Sequence, residues 1–321
     1  MDSPANCSWK APEWSHQVVM LVFSLPTICV GLVLNGVALC LIWCKIKERT
    51  KSTIYMTNLI ISDSLLLFSL PFKIYAYYVR QEWPLARGFC QLLESFCFVN
   101  TYASILLTTL ICADRYLAIK HPFLSRAITS PRKTAVICAA IWMLVCPWTS
   151  HIYLSSDSRS CFYRLSPRVW RLGFISALEV LFLTCASLMM FCSLQIIRSL
   201  KVKASESREE WADKSAKIIL SNLLTFLICF TPHHTVLLLY SLATNGFLSD
   251  RYHEPLRSAL QFSMYLANVN CCLDAIYYFY GIKELRQSNS RLIPNSSTQM
   301  VTCEAIADST ADPPSQLLKS H

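Results

Sequence analysis

Residues 18–44 read VVMLVFSLPTICVGLVLNGVALCLIWC, twenty-seven positions without one Asp, Glu, Lys or Arg. About 20 apolar residues in a helix cross a hydrocarbon core of about 30 Å, so this stretch predicts a membrane-spanning helix. Lys45, Lys47, Arg49 and Lys51 follow it at once, whereas only Lys10 precedes it. Positive charge stays on the cytosolic side of a span. That asymmetry predicts an extracellular N-terminus.

Six further stretches satisfy the same length test: Thr53–Tyr78, Phe89–Ile119, Thr134–Leu154, Val169–Leu200, Lys217–Ala243 and Leu256–Tyr280. Seven crossings place the C-terminus in the cytosol. With Arg198 and Lys217 counted at the inner ends of their spans and Arg171 and Arg257 at the outer ends, the predicted cytosolic loops hold fourteen Lys/Arg and the tail four more, against nine in the extracellular segments. The whole chain of 321 residues is 54% hydrophobic and 15% charged, where a soluble domain carries about 25% charged residues. Extensive disorder and a two-domain soluble enzyme are therefore both poor readings. The net charge of +9 would suggest nucleic acid in a soluble protein. Here the basic residues sit in short clusters between apolar runs, so they read as orientation signals, and no nucleic-acid partner is expected.

The expected fold class is an all-α membrane protein: a seven-transmembrane helix bundle with a short amphipathic eighth helix at Gly281–Arg286 along the inner leaflet. The expected layout is an extracellular N-terminus over 1–17, a transmembrane unit over 18–290, and a disordered, Ser-, Thr- and Pro-rich cytoplasmic tail over 291–321. Residues 1–17 lack a basic start and an apolar core, so no cleavable signal is expected. Asn6-Cys7-Ser8 is a glycosylation sequon on the predicted outer side.

Most of the sixteen cysteines lie inside apolar runs and read as small buried hydrophobes. Cys90 opens the third span on the outer side and Cys161 lies in the next outer loop. Both face an oxidising compartment, so a disulfide between them is expected.

Catalytic chemistry has no sequence support. HExxH, paired CxxC and GxSxG patterns are missing, and only six glycines occur, none in a phosphate-cradling loop. The chain reads as a non-enzyme without a tightly held cofactor or metal. Adjacent His233 and His234 point to different helix faces. A transporter would favour paired repeats and broken helices at the midplane, and neither is evident.

Ionisable residues inside a span are costly and mark function. Asp63, Glu94, Glu179 and Asp274 qualify, with Asn35 and Asn270 beside them as strongly polar groups. Asp63, Ser104, Asn270 and Asp274 could converge on one hydrated pocket and hold a sodium ion through oxygen ligands. A water-filled hydrogen-bond network is the equal alternative. Asp114-Arg115-Tyr116 closes the third span at the cytosolic face. There a carboxylate and a guanidinium could lock as an ion pair, then release Arg115 to a partner's carbonyls.

Together these residues resemble those of the rhodopsin-like (class A) G-protein-coupled receptors. The matching pieces are Gly31-Leu32-Val33-Leu34-Asn35, Asn58-Leu59-Ile60-Ile61-Ser62-Asp63, Cys90, Asp114-Arg115-Tyr116, Trp142, Cys161, Phe226 through Pro232, and Asn270 through Tyr278. The resemblance covers roughly residues 18–290. It implies coupling to a heterotrimeric G protein, with arrestin and a receptor kinase as further partners, at the plasma membrane. Asp114, Arg115, Tyr116, Phe226, Phe230, Pro232 and Tyr278 are the implied switch and coupling residues. The chain departs from the family in having Phe230 where Trp is usual, Asp274-Ala275 where Asn-Pro is usual, and no proline in the fifth span. Opening should therefore lean on Pro232.

Within the family, Ser52 through Leu59, Ser69-Leu70-Pro71-Phe72-Lys73 and Asn270 through Asp274 are similar to the branch of nucleotide, protease-activated and lysolipid receptors, above all the lysophosphatidylinositol-type receptor and its kynurenate-responsive sister. Cys97 stands at the position where amine receptors carry an aspartate, which argues against an amine ligand. The outer face is instead basic: Arg159, Arg164, Arg168 and Arg171 in the second outer loop, Lys73 in the second span, Arg257 at the seventh. Arginine forks suit carboxylate and phosphate, and a basic mouth attracts anions. Phe98, Tyr102, Phe174 and Phe262 would supply apolar walls, with Glu94 and His233 completing the pocket. The expected ligand is an anionic lipid-like molecule such as a lysophospholipid. A kynurenate-like small acid or a nucleotide is the alternative ligand, and arginines that merely meet lipid headgroups are the alternative reading of the charge.

Overall fold

The structure, a computed structural model, describes residues 14–45, 50–78, 86–154, 172–203 and 209–292. Its helices are α1 (Trp14–Lys45), α2 (Lys51–Tyr78), α3 (Arg87–Lys120), α4 (Pro122–Ile128), α5 (Pro131–Leu154), α6 (Leu172–Lys203), α7 (Glu209–Thr244) and α8 (His253–Leu292). A single 3-10 turn, Asp250–Tyr252, leads into α8. No strand occurs among the described residues.

Each of the seven long helices coincides with an expected span and mostly runs a few residues past it. The reason is backbone chemistry: in hydrocarbon every amide must pair within its own segment, so a helix continues until water can take over. The exception is the start of α6, at Leu172 rather than Val169, because residues 155–171 lie outside the described ones. By length and apolarity alone, α1, α2, α3, α6 and α7 qualify as spans, and α4 with α5 would make a sixth, bent by 68° at their junction. α8 is too polar to qualify by that measure, and its polar residues Asn268, Asn270 and Asp274 are all buried.

α3 is the central element, with 67% of its most apolar window buried, against 22% for α1 at the edge. α1 turns Val22, Leu32, Val33 and Trp43 outward. In water such a surface would drive aggregation; in a bilayer it matches the acyl chains. The interior is one large cluster centred on Ile105, Leu107, Ile175, Met189, Phe226 and Phe230.

Because lipid is as apolar as leucine, close packing and hydrogen bonds must choose the helix neighbours. Gly31 is such a contact: a Cβ there would stand 2.6 Å from Leu67 Cδ2, so α1 and α2 approach where only hydrogen fits. Trp142 Nε1 donates to Asn58 Oδ1 at 2.8 Å, tying α5 to α2. Asn35 Nδ2 donates to the Cys271 carbonyl at 3.1 Å, tying α1 to α8. Trp142→Phe keeps the ring and orphans the Asn58 carbonyl. It is expected to cost about 1 kcal/mol, read as a drop of a few degrees in the thermal midpoint of the purified protein in nanodiscs. At the outer end of α7, Gly246 takes φ +80° and Phe247 N–H returns to the Leu242 carbonyl at 3.0 Å, a left-handed cap that stops the helix.

Prolines interrupt α1 (Pro26), α2 (Pro71), α5 (Pro147) and α7 (Pro232). α6 has none, as expected. The compact unit extends to Tyr278, and a second unit begins at Phe279. Residues 281–286, where the short C-terminal helix is expected, are helical. The expected tail and the N-terminal segment with Asn6 lie outside the described residues.

Candidate functional site

The half of the bundle expected to face outward centres on Lys73. Its side chain is 1% exposed. Its ammonium lies 4.9 Å from the centre of the Tyr265 ring of α8 and has no hydrogen-bond partner among the described residues. Glu94, Cys97 and His233 are within electrostatic reach. A cation–π contact returns only part of the hydration that a buried ammonium gives up. Beside it, Phe98 packs on Tyr102 at 4.4 Å and on Phe174 at 6.5 Å, which forms the expected aromatic wall.

Three other expectations change. Phe262 is 47% exposed and meets Phe23 of α1 edge-on at 5.4 Å, so it does not line the interior. Tyr265, three residues on and about 60° round the helix, is the ring that is buried. Arg257 already has a carboxylate partner, Glu254, at 3.8 Å. His233 is partly buried and touches Ser263 at 3.5 Å, but its neighbour His234 is the deeper of the two. His234 Nδ1 lies 3.1 Å from Glu179 Oε1, and its ring stacks on Phe182 at 4.0 Å. The sequence held a signal for this pair, since an acid and a histidine in two apolar spans would each be costly unless they met. Arg164 and Arg168 lie outside the described residues, as does Cys161. Cys90 is disulfide-bonded.

Deeper lies a polar network. Asn100 Nδ2 donates to Asp63 Oδ1 at 2.9 Å and reaches Ser104 Oγ at 3.5 Å. Asn270 Nδ2 donates to Asp274 Oδ2 at 2.6 Å. The four expected residues thus form two pairs, with Asn100 as the joint between Asp63 and Ser104. Asn100 was not foreseen, although its place one turn from Ser104 on α3 was legible. Asp63 and Asp274 both line a narrow cavity of about 30 Å³, room for roughly two waters. Asp63 Oδ2 and Asn35 Oδ1 have no hydrogen-bond partner among the described residues. An oxygen-only donor set with two carboxylates fits a hard monovalent cation. Among the described residues no group of three His, Cys, Asp or Glu could hold a transition metal.

The cavity continues to Arg115, Asn222 and Tyr277 at the end of the bundle expected to face inward. Here the expected Asp114–Arg115 pair is replaced. Lys51 Nζ takes Asp114 Oδ1 at 2.9 Å and also donates to Ser125 Oγ at 3.2 Å and Thr129 Oγ1 at 2.7 Å. Adjacent helical residues point about 100° apart and cannot face one another. Asp114 therefore turns to the first residue of α2 and to α4, while Arg115 turns to the cavity. Tyr116 Oη meets His121 Nε2 at 3.4 Å. Phe226 and Phe230, both buried, touch edge-on at 5.3 Å within two turns of Pro232. The Tyr278 side chain lies outside the described residues. Its neighbour Tyr277 shares hydrogen bonds with Thr225 at 2.7 Å and Ser221 at 2.9 Å, joining α8 to α7.

A sequence profile of the family described as 7 transmembrane receptor (rhodopsin family) matches residues 34–278. G-protein coupled receptor 55 of Mus musculus is 35% identical over 303 residues, covering 88% of this chain and 91% of that protein. G-protein coupled receptor 35 of Homo sapiens is 35% identical over 276 residues, covering 83% and 85%. Lysophosphatidic acid receptor 6 of Gallus gallus is 31% identical over 291 residues, covering 86% and 93%.

Proposed function

The chain belongs to the rhodopsin family of seven-transmembrane receptors, and from that premise we propose that it responds to an extracellular anionic lysophospholipid, such as lysophosphatidylinositol. It is a multi-pass membrane protein that signals through G proteins. The observation that carries the ligand reading is Lys73: a buried ammonium without a hydrogen-bond partner among the described residues, set against aromatic rings. A phosphate supplies the charge and acceptors the ammonium lacks, and an acyl chain suits the aromatic wall of Phe98, Tyr102 and Phe174. The name of the similar lysophosphatidic acid receptor 6 points to the same ligand class.

The receptor works by population shift: a ligand that binds the inside-open state more tightly enriches it. α7 pivots near Pro232, and a G-protein helix docks in the cleft beside Arg115, with Asp114 and Tyr116 framing it. Phe226 and Phe230 repack as α7 moves, and Tyr278 belongs to the same switch. Receptor kinase and arrestin act on the tail at Ser296, Ser297 and Thr298. The protein resides in the plasma membrane with its N-terminus, glycosylated at Asn6, outside, and a Cys90–Cys161 disulfide, with Arg164 and Arg168 in the same loop, frames the mouth.

The test is a panel of lysophospholipids, kynurenate-like acids and nucleotides on cells expressing the full chain, with several G-protein families read in parallel. A response to lysophospholipids is expected; a response confined to nucleotides or organic acids overturns the assignment. Asp63, Ser104, Asn270 and Asp274 hold sodium in the resting state. Replacing sodium by N-methylglucamine should then raise agonist affinity severalfold, and Asp63→Asn should remove that dependence. Equal affinity in both salts for the unaltered receptor would exclude the ion.

A further inference from the structure

Glu179, His234 and the hydroxyl of Tyr102 form a buried polar cluster; the anion-binding reading uses only the face of the Tyr102 ring and leaves these polar atoms unused. They come from α6, α7 and α3. His234 is 1% exposed and Tyr102 is 3%. Glu179 Oε1 lies 3.1 Å from His234 Nδ1. A carboxylate only accepts, so Nδ1 carries the proton and donates. That fixes the ring and turns Nε2 away from Glu179. Phe182 holds the imidazole in place, stacked at 4.0 Å with planes 2° apart. The Tyr102 ring meets the same imidazole edge-on at 5.9 Å. His234 Nε2 and Tyr102 Oη are both buried, and neither has a hydrogen-bond partner among the described residues. Two such atoms on touching rings are rare, because each costs about 1–3 kcal/mol when left unpaired.

The cluster connects to the outer pocket. Tyr102 lies one helical turn below Phe98, and the two rings pack at 4.4 Å. The next residue to His234, His233, is within electrostatic reach of Lys73. A ligand anchored at Lys73 and lying along the Phe98 wall would thus reach Tyr102 and His234 next.

The chemistry of the two orphan atoms selects their partner. Neutral imidazole presents a lone pair at Nε2, and imidazolium presents N–H. The Tyr102 hydroxyl both donates and accepts. A hydroxyl group, the neutral donor-and-acceptor function that lipid headgroups carry, matches either form of Nε2 and Tyr102 at once, since it donates one hydrogen bond and accepts two. A second anionic group is disfavoured, because Glu179 lies close enough to act electrostatically on Tyr102. We infer that Tyr102 and His234, positioned by Glu179, form a second ligand subsite that takes a neutral hydroxyl on the headgroup of an anionic lipid. The inference rests on Lys73 as the anion anchor and adds a basis for headgroup selection.

The test uses two oleoyl lysophospholipids of equal charge, lysophosphatidylglycerol and lysophosphatidylethanol. Only the first carries hydroxyls on its headgroup. Agonist-stimulated nucleotide exchange is measured with the full-length receptor in nanodiscs. The unaltered receptor should favour lysophosphatidylglycerol by about tenfold, one good hydrogen bond's worth. His234→Phe keeps the stack on Phe182, and Tyr102→Phe deletes a single oxygen. Both should bring the potency ratio towards one, whereas a variant that is merely less stable would weaken both lipids alike. A ratio near one in the unaltered receptor, or a preference retained in both variants, overturns the subsite while leaving the Lys73 reading intact. If neither lipid activates the receptor in a Lys73-dependent manner, the anionic-lipid reading falls and takes the subsite with it.

Discussion

Lys73→Met should cut the potency of a lysophospholipid agonist by roughly 100-fold or more, while the ligand-free receptor stays folded and reaches the surface. The first half follows from charge. Truncating one partner of a buried charge pair costs about 2–5 kcal/mol, and about 1.4 kcal/mol is a factor of ten. The second half follows from the resting state. The ammonium is buried with a ring contact and no hydrogen-bond partner among the described residues, and replacing a poorly compensated buried charge by an apolar chain of similar length is neutral or stabilising. A thermal midpoint equal to or above that of the unaltered receptor, together with the lost response, separates ligand binding from folding. Lys73→Glu should abolish the response outright. Unchanged dose–response curves in both variants would reject Lys73 as the anchor.

Opposite signs are expected from two basic residues at the inner end. Arg115→Ala should lower agonist-stimulated nucleotide exchange at least tenfold with surface expression retained, because it removes a guanidinium with five donors from the lining of the cavity where the G protein is proposed to dock. Lys51→Met should instead raise basal exchange by about fivefold, equivalent to roughly 1 kcal/mol of population shift. Lys51 holds Asp114, Ser125 and Thr129 together, which ties the end of α3 to α2 and α4 in the resting arrangement. Its removal frees Asp114 without touching Arg115. A purified receptor with a G protein and labelled GTP reads both effects. Basal exchange that falls in Lys51→Met would mean that the tie supports the active arrangement.

Much of the architecture was legible locally. Hydrocarbon leaves a span no choice but helix, so length and apolarity marked the helices to within a few residues. The polar residues that had to face inward were legible too, since Asp63, Asp274, Lys73 and Glu179 are too costly to leave in lipid. Their partners were less so. Asn100 between Asp63 and Ser104, Tyr265 under Lys73, and His234 against Glu179 all join residues far apart in the chain.

The sequence alone determined which segments become helices and which residues must be hidden, because both depend on transfer of local groups from water to lipid. The tertiary structure alone decided how far each helix is rotated about its axis. A turn of about 100° per residue separates His233 from His234 and Asp114 from Arg115. Only packing against neighbours, through contacts such as Gly31 on Leu67 and Trp142 on Asn58, fixes which of each set faces the site.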